Sequence, residues 1–247
     1  MASTNKDRFI SKTAQRIAMT LATVACMGLA NVAVAAELSN KQTQLIPIAA
    51  FTANGDTVRL KQALIDGLEK GLTVNEIKDV LVQMYAYTGF PRSLTGLGTL
   101  VNVLEERKAK NIADNMGRSA SPRPEGKTVR EFGTEVQTRI IGRPASGPVY
   151  ELSPEIDTYL KEHLFGDIFA SDLLTLQERE IATVSALASP PAPAQLQGHI
   201  NCCLNVGVTP AQLNEFVEVL RKEVGTEQAK LAEDTLERVL KAREAQK

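Results

Sequence analysis

Apolar residues recur along this chain at helical spacing. Val74, Ile77, Val80, Leu81 and Met84 are separated by threes and fours, which places them on one face of a helix. Leu94, Leu97, Val101 and Leu104 continue the pattern into a further helix, and Leu231, Leu236 and Leu240 do the same near the C-terminus. No alternating run suggests a strand longer than a few residues, so the predicted fold class is all-α. The punctuation agrees. Gly71 and Gly207 suit the left-handed position that follows a helix. Thr73 with Glu76, and Thr209 with Gln212, each read as a capping box, with Pro210 in the first turn. Gly89-Phe90-Pro91 reads as a helix stop followed by a new helix from Pro91.

Sliding the chain against itself brings apolar positions, glycines and caps into agreement at one constant offset. At that offset Leu45 falls on Ile181, Ile48 on Val184, Gly71 on Gly207, Thr73 on Thr209 and Gly89 on Gly225. This agreement predicts two related helical repeats, over residues 37–110 and 151–247. Between them, 111–150 carries Pro122, Pro124, Pro144 and Pro148 and reads as an irregular connector. A helix is expected to open the second repeat at Ser153-Pro154-Glu155 and to end near Phe165-Gly166.

Residues 1–36 have a different character. Lys6, Arg8, Lys12 and Arg16 make a basic start, an apolar stretch follows, and Ala33-Val34-Ala35-Ala36 supplies a small-residue site. These are the marks of a signal peptide cleaved after Ala35 or Ala36, so export to a periplasm or beyond the cell is expected. Four bases and one acid leave with it, taking the formal net charge from −1 to −4. A mildly acidic chain without a basic cluster offers nucleic acid no electrostatic footing, and no later segment is apolar enough to anchor in a membrane. With no Trp and 4% aromatics, the core must come from Leu, Ile, Val and Ala.

Two stretches resemble the carboxymuconolactone decarboxylase family, which includes the alkylhydroperoxidase D-like proteins. The first runs Glu76-Ile-Lys-Asp-Val-Leu-Val-Gln-Met-Tyr-Ala-Tyr-Thr-Gly-Phe-Pro91. The second combines Leu176-Gln-Glu-Arg-Glu-Ile-Ala, with Glu180, and Gln197-Gly-His-Ile-Asn-Cys-Cys-Leu-Asn-Val-Gly207, with His199. The resemblance implies an alkylhydroperoxidase D-like helical fold, assembly into closed trimers or hexamers, and a decarboxylase or peroxidase activity on a small molecule. The peroxidase branch uses a C-x-x-C pair whose positions are here Ala192 and Gln195, which removes its thiol relay. The family features are split between the repeats. Unit two has Glu180 and His199 where unit one has Gln44 and Ala63, and unit one has the Tyr-x-Tyr-x-Gly-Phe-Pro ending. One composite site per chain follows.

Helical geometry supports pairing Glu180 with His199. Glu180 lies about 12 Å before the intervening loop and His199 about 9 Å after it, at roughly 1.5 Å per residue, so antiparallel neighbours would bring them level. A carboxylate beside an imidazole fixes its tautomer and makes an acid–base pair usable near neutral pH. Tyr85 and Tyr87, two residues apart, cannot share a helix face, so at most one points into a site. Phe90 is expected to wall a pocket and Arg92 to hold an anionic substrate group. Cys202 and Cys203 follow His199 closely enough for the imidazole to lower a thiol pKa, but on the wrong side for the family relay. With His199 they offer two or three metal ligands at an odd spacing, so no metal or organic cofactor is expected. The reading is a decarboxylase-like enzyme acting on a small carboxylate or lactone; the alternatives are a thiol redox protein and a non-catalytic helical scaffold.

Overall fold

The computed structural model describes residues 37–246, and the expected signal peptide lies outside the described residues. Helices account for the described secondary structure, without strands. Repeat one contains α1 (Asn40–Asn54), α2 (Thr57–Glu69) and α3 (Val74–Ala109). The connecting region holds α4 (Val129–Ile141) and α5 (Pro148–Leu152). Next come α6 (Pro154–Thr158), running on as a π-helical stretch over Tyr159–Ile168, then α7 (Leu176–Ala188) and α8 (Pro193–Asn205). The chain ends with α9 (Pro210–Val219), a second π-helical stretch (Leu220–Val224) and α10 (Thr226–Glu244). No described helix is long and apolar enough to cross a membrane.

The repeat is visible in where helices start. Asn40 and Leu176, Thr57 and Pro193, and Val74 and Pro210 open equivalent helices, each pair separated by the offset that aligns the two repeats in sequence. Thr73 and Thr209 both form the expected capping boxes, each side chain accepting from the backbone N–H three residues on. After Val74, α3 bends at Gly89, whose φ of 78° and ψ of 166° break the helix before Pro91 restarts it. Such a left-handed φ disfavours a side chain, which explains glycine there. The equivalent bend in repeat two comes at Gly225, where the preceding π-helical turn closes with Gly225 N–H donating to the Leu220 carbonyl five residues back.

The repeats do not form separate cores. The first helices of each, α1 and α7, are buried along most of their length and pack together, and one cluster of Leu, Ile, Val and Ala spans both repeats. Polar contacts join α3 to α7 within it. The Arg179 guanidinium, fully buried, donates to Asp79 at 2.7 Å, Gln83 at 3.0 Å and the Ser171 carbonyl at 2.6 Å, and lies over Phe169. Gln83 returns a bond to the Arg179 carbonyl at 2.9 Å. Burying a guanidinium is costly unless it is paired in this way, so removing Asp79 alone would cost on the order of 3–5 kcal/mol.

The connector is not wholly irregular. Thr128 caps α4 with Glu131 at the reciprocal position, and Gly142 ends it. This helix crosses the π-helical stretch at very close range: a Cβ on Gly133 would fall 1.7 Å from the Lys161 carbonyl oxygen, and one on Gly166 would meet the Val129 carbonyl. Arg130 then pairs with Asp157 at 2.9 Å and with Glu162 at 3.2 Å. The close crossing holds Ile140 in a small second core with Phe165, Phe169 and Cys202.

Candidate active site

Helices α7 and α8 carry Glu180 and His199. Thr175 caps α7 and Pro193 opens α8 after a short proline-containing loop, so both side chains sit in well-formed helices. They meet as the rise arithmetic requires: His199 Nδ1 lies 2.8 Å from Glu180 Oε2. An ionised carboxylate only accepts, so Nδ1 donates and Nε2 remains for other work. Glu180 is fully buried, whereas the imidazole keeps 18% of its side-chain surface. Glu180 Oε1 is buried with no hydrogen-bond partner among the described residues, and the buried Tyr87 hydroxyl lies close by Thr183.

His199 opens onto a cavity of about 1190 Å³. Leu164, Phe165 and Ile140 give it apolar walls, and Gln137 adds an amide from α4. Two arginines reach it. Arg243, from α10, is held by bonds to Asn201 and Asn205 of α8, at 2.9 Å and 2.5 Å. Arg143, just beyond α4, is exposed and makes no ion pair among the described residues. Helix α4 and the π-helical stretch thus roof the site that α7 and α8 build from below.

The residues expected at the site separate. The Tyr87 ring packs edge-on against His199 at 5.6 Å between centroids and lines the cavity. Tyr85 faces elsewhere, stacked on Phe90 at 4.0 Å and edge-on to His163 at 5.4 Å. Phe90 is 60% exposed and does not wall the cavity. Arg92 is also absent from it, because its guanidinium lies directly over Gly55 at the end of α1, where any Cβ would collide. The helix breaks at Gly89, and neither Phe90 nor Arg92 beyond it lines the cavity that Tyr87 reaches. The cationic role passes to Arg143 and Arg243. Only the cap and the Phe132, Val136 and Ile140 spacing of α4 hinted at the roof.

Electrostatics bear on the thiols. Burial, reinforced by Glu180, pushes the Cys202 thiol up to about 12, and the same causes raise Cys203 well above the usual thiol range. Proximity to His199 therefore does not make a thiolate here. Burial, with Glu180 again second, also raises Tyr87, so its hydroxyl stays protonated. Donor atoms of Glu180, His199 and Cys202 all lie within 4.8 Å of one another, making these the residues that would hold a metal ion. A single ion with bonds of about 2.0–2.3 Å would need them drawn together.

Comparison with protein families finds a match to both repeats. The model of the carboxymuconolactone decarboxylase family matches residues 13–101 and 154–237. The unmatched stretch between them contains α4, Gln137 and Arg143, so the α4 side of the roof lies outside what the family model describes, while the π-helical side lies within it. No curated protein matches the chain. Two matched regions over most of its length, each with the same helices in the same register, place the chain in the carboxymuconolactone decarboxylase family.

Proposed function

We propose that this chain is an exported, decarboxylase-like enzyme that acts on a small carboxylate or lactone by acid–base chemistry, without a step through metal or organic cofactor. The observation that carries the reading is the buried Glu180 carboxylate holding His199 Nδ1 at 2.8 Å beside a large cavity. In such a reaction the bond between the carboxylate carbon and the neighbouring carbon breaks. Its electron pair passes into an adjacent carbonyl as an enolate, and carbon dioxide leaves. The enolate carbon then takes a proton from Nε2 of the protonated imidazole, which recovers one from water. Glu180 stabilises that imidazolium and holds the ring in orientation.

Charge placement suits this division of labour. Decarboxylation is favoured when the departing carboxylate sits against apolar surface and the developing enolate faces positive charge. Leu164, Phe165 and Ile140 provide the first environment, and Arg143 and Arg243 the second, either for the enolate oxygen or for another carboxylate. The raised thiols of Cys202 and Cys203 weigh against the redox alternative.

The test is a screen of small keto acids, dicarboxylates and lactone acids for release of carbon dioxide. Against a substrate so found, His199→Ala and Glu180→Gln should each lower turnover by roughly 10²–10⁴-fold. Combining them should cost little more than either alone, since groups acting as one unit are not additive. Near-parent turnover by the double variant would overturn the assignment.

A further inference from the structure

Helix α4 turns Gly133, Gln137 and Ile140 to the interior, a face spaced by four and then three residues. Small or apolar side chains fill such a face at least cost, and its middle position carries an amide instead. Gln137 is 1% exposed and lines the cavity beside His199. Its Oε1 is buried with no hydrogen-bond partner among the described residues. A buried amide oxygen left unpaired costs free energy that Leu or Met in its place would not. It is also an acceptor open to whatever enters the cavity.

The backbone on both sides of this amide is pinned. One turn before it, Gly133 meets the Lys161 carbonyl too closely for a Cβ. One turn after it, Asn205 of α8 donates through Nδ2 to the Ile140 and Ile141 carbonyls, at 3.1 Å and 2.8 Å. The same Asn205 accepts through Oδ1 from Arg243 Nη2 at 2.5 Å. Asn205 therefore ties the end of α4 to an arginine that reaches the cavity, and sets a neutral acceptor and a cation in one frame. Neutrality matters here. An amide oxygen accepts from a hydroxyl without repelling a carboxylate, as another acid at that position would.

We infer that Gln137 is a specificity-determining residue, which accepts a hydrogen bond from a hydroxyl of the substrate while an arginine of the cavity holds its carboxylate. The small carboxylate of the proposed reaction is thereby narrowed to a hydroxy acid with an apolar body. A site built to pair a hydroxyl rejects the analogue lacking it, because the buried acceptor of the protein is then left unpaired. This inference rests on the reading that the cavity beside His199 receives the substrate. It adds a residue from the stretch that the family match leaves out.

The probes are benzoate and 2-, 3- and 4-hydroxybenzoate, titrated calorimetrically into the full chain; together they carry a hydroxyl around a ring suited to the walls of Leu164 and Phe165. At least one hydroxy acid should bind roughly tenfold more tightly than benzoate, the scale of one net hydrogen bond. Gln137→Met should bring that acid down to the affinity of benzoate and leave benzoate itself unweakened. Gln137→Glu keeps an acceptor oxygen, so it should keep the preference while its charge weakens all four acids. Equal affinity for the four, no binding of any, or a preference that survives Gln137→Met would overturn the inference. The decarboxylase reading fails separately: a preference that depends on Gln137, with carbon dioxide released from no acid, removes the reaction and keeps the recognition.

Discussion

At the scale of single residues, what sets the chemistry is surroundings more than identity. Cys202 is one helical turn from a histidine, the usual setting for a reactive thiol, yet it faces apolar side chains and a buried carboxylate that oppose ionisation. With a thiol titrating at about 12, little thiolate exists at pH 8. Iodoacetamide at that pH should therefore modify the native protein about a thousandfold more slowly than an ordinary cysteine, and at ordinary speed once it is denatured. Mass spectrometry of the timed reaction reads this directly, and rapid native labelling of Cys202 would contradict the burial argument. The Glu180–His199 pair was legible in the sequence because both residues lie in uninterrupted helices on either side of one short loop, where rise per residue sets the level. Arg92 misled because three residues before it Gly89 turns the chain, and no count of spacing gives the direction of such a turn.

At the scale of elements, the informative one is α4. It lies outside the family match, yet it brings Gln137 and Ile140 to the cavity and leads to Arg143. Its seat depends on Gly133, which meets the Lys161 carbonyl so closely that no Cβ fits. Gly133→Ala should therefore lift α4 from the π-helical stretch, although alanine is the better helix former. The expected result is faster amide exchange across 129–141 and a stability loss of about 1–3 kcal/mol, with α7 and α8 still protected. Substrate affinity should fall with it, since the roof and Arg143 move together. Parent-like exchange in α4 would mean that this crossing does not hold the roof. The sequence marked the ends of α4 through Thr128, Glu131 and Gly142, but its prolines drew the region towards an irregular reading.

At the scale of the whole molecule, two repeats share one core, so they should unfold as a unit and not one after the other. The second arm of α3 presents Phe90, Leu94 and Val101 to solvent along one stripe, all more than half exposed. An apolar stripe of this kind suits burial against another copy of the chain. Native mass spectrometry of the protein from its host's exported fraction should give subunits beginning at Ala36 or Glu37, assembled in threes or sixes. A monomer at micromolar concentration would refute the assembly, and a subunit beginning at Met1 would refute the export.

The sequence by itself determined the helices of the two repeats, the caps at Thr73 and Thr209, the internal repeat and the common level of Glu180 and His199. All of these follow from spacing within a segment or across one short loop, where local geometry leaves few choices. Only the tertiary structure decided which arginines face the imidazole, that α4 roofs the cavity, and that the thiols are buried. Those outcomes depend on contacts between residues far apart in the chain, such as that of Gly133 with Lys161. Packing of many side chains at once selects such contacts, and hydrophobic periodicity, which reports only the buried side of each helix, does not say what that side will meet.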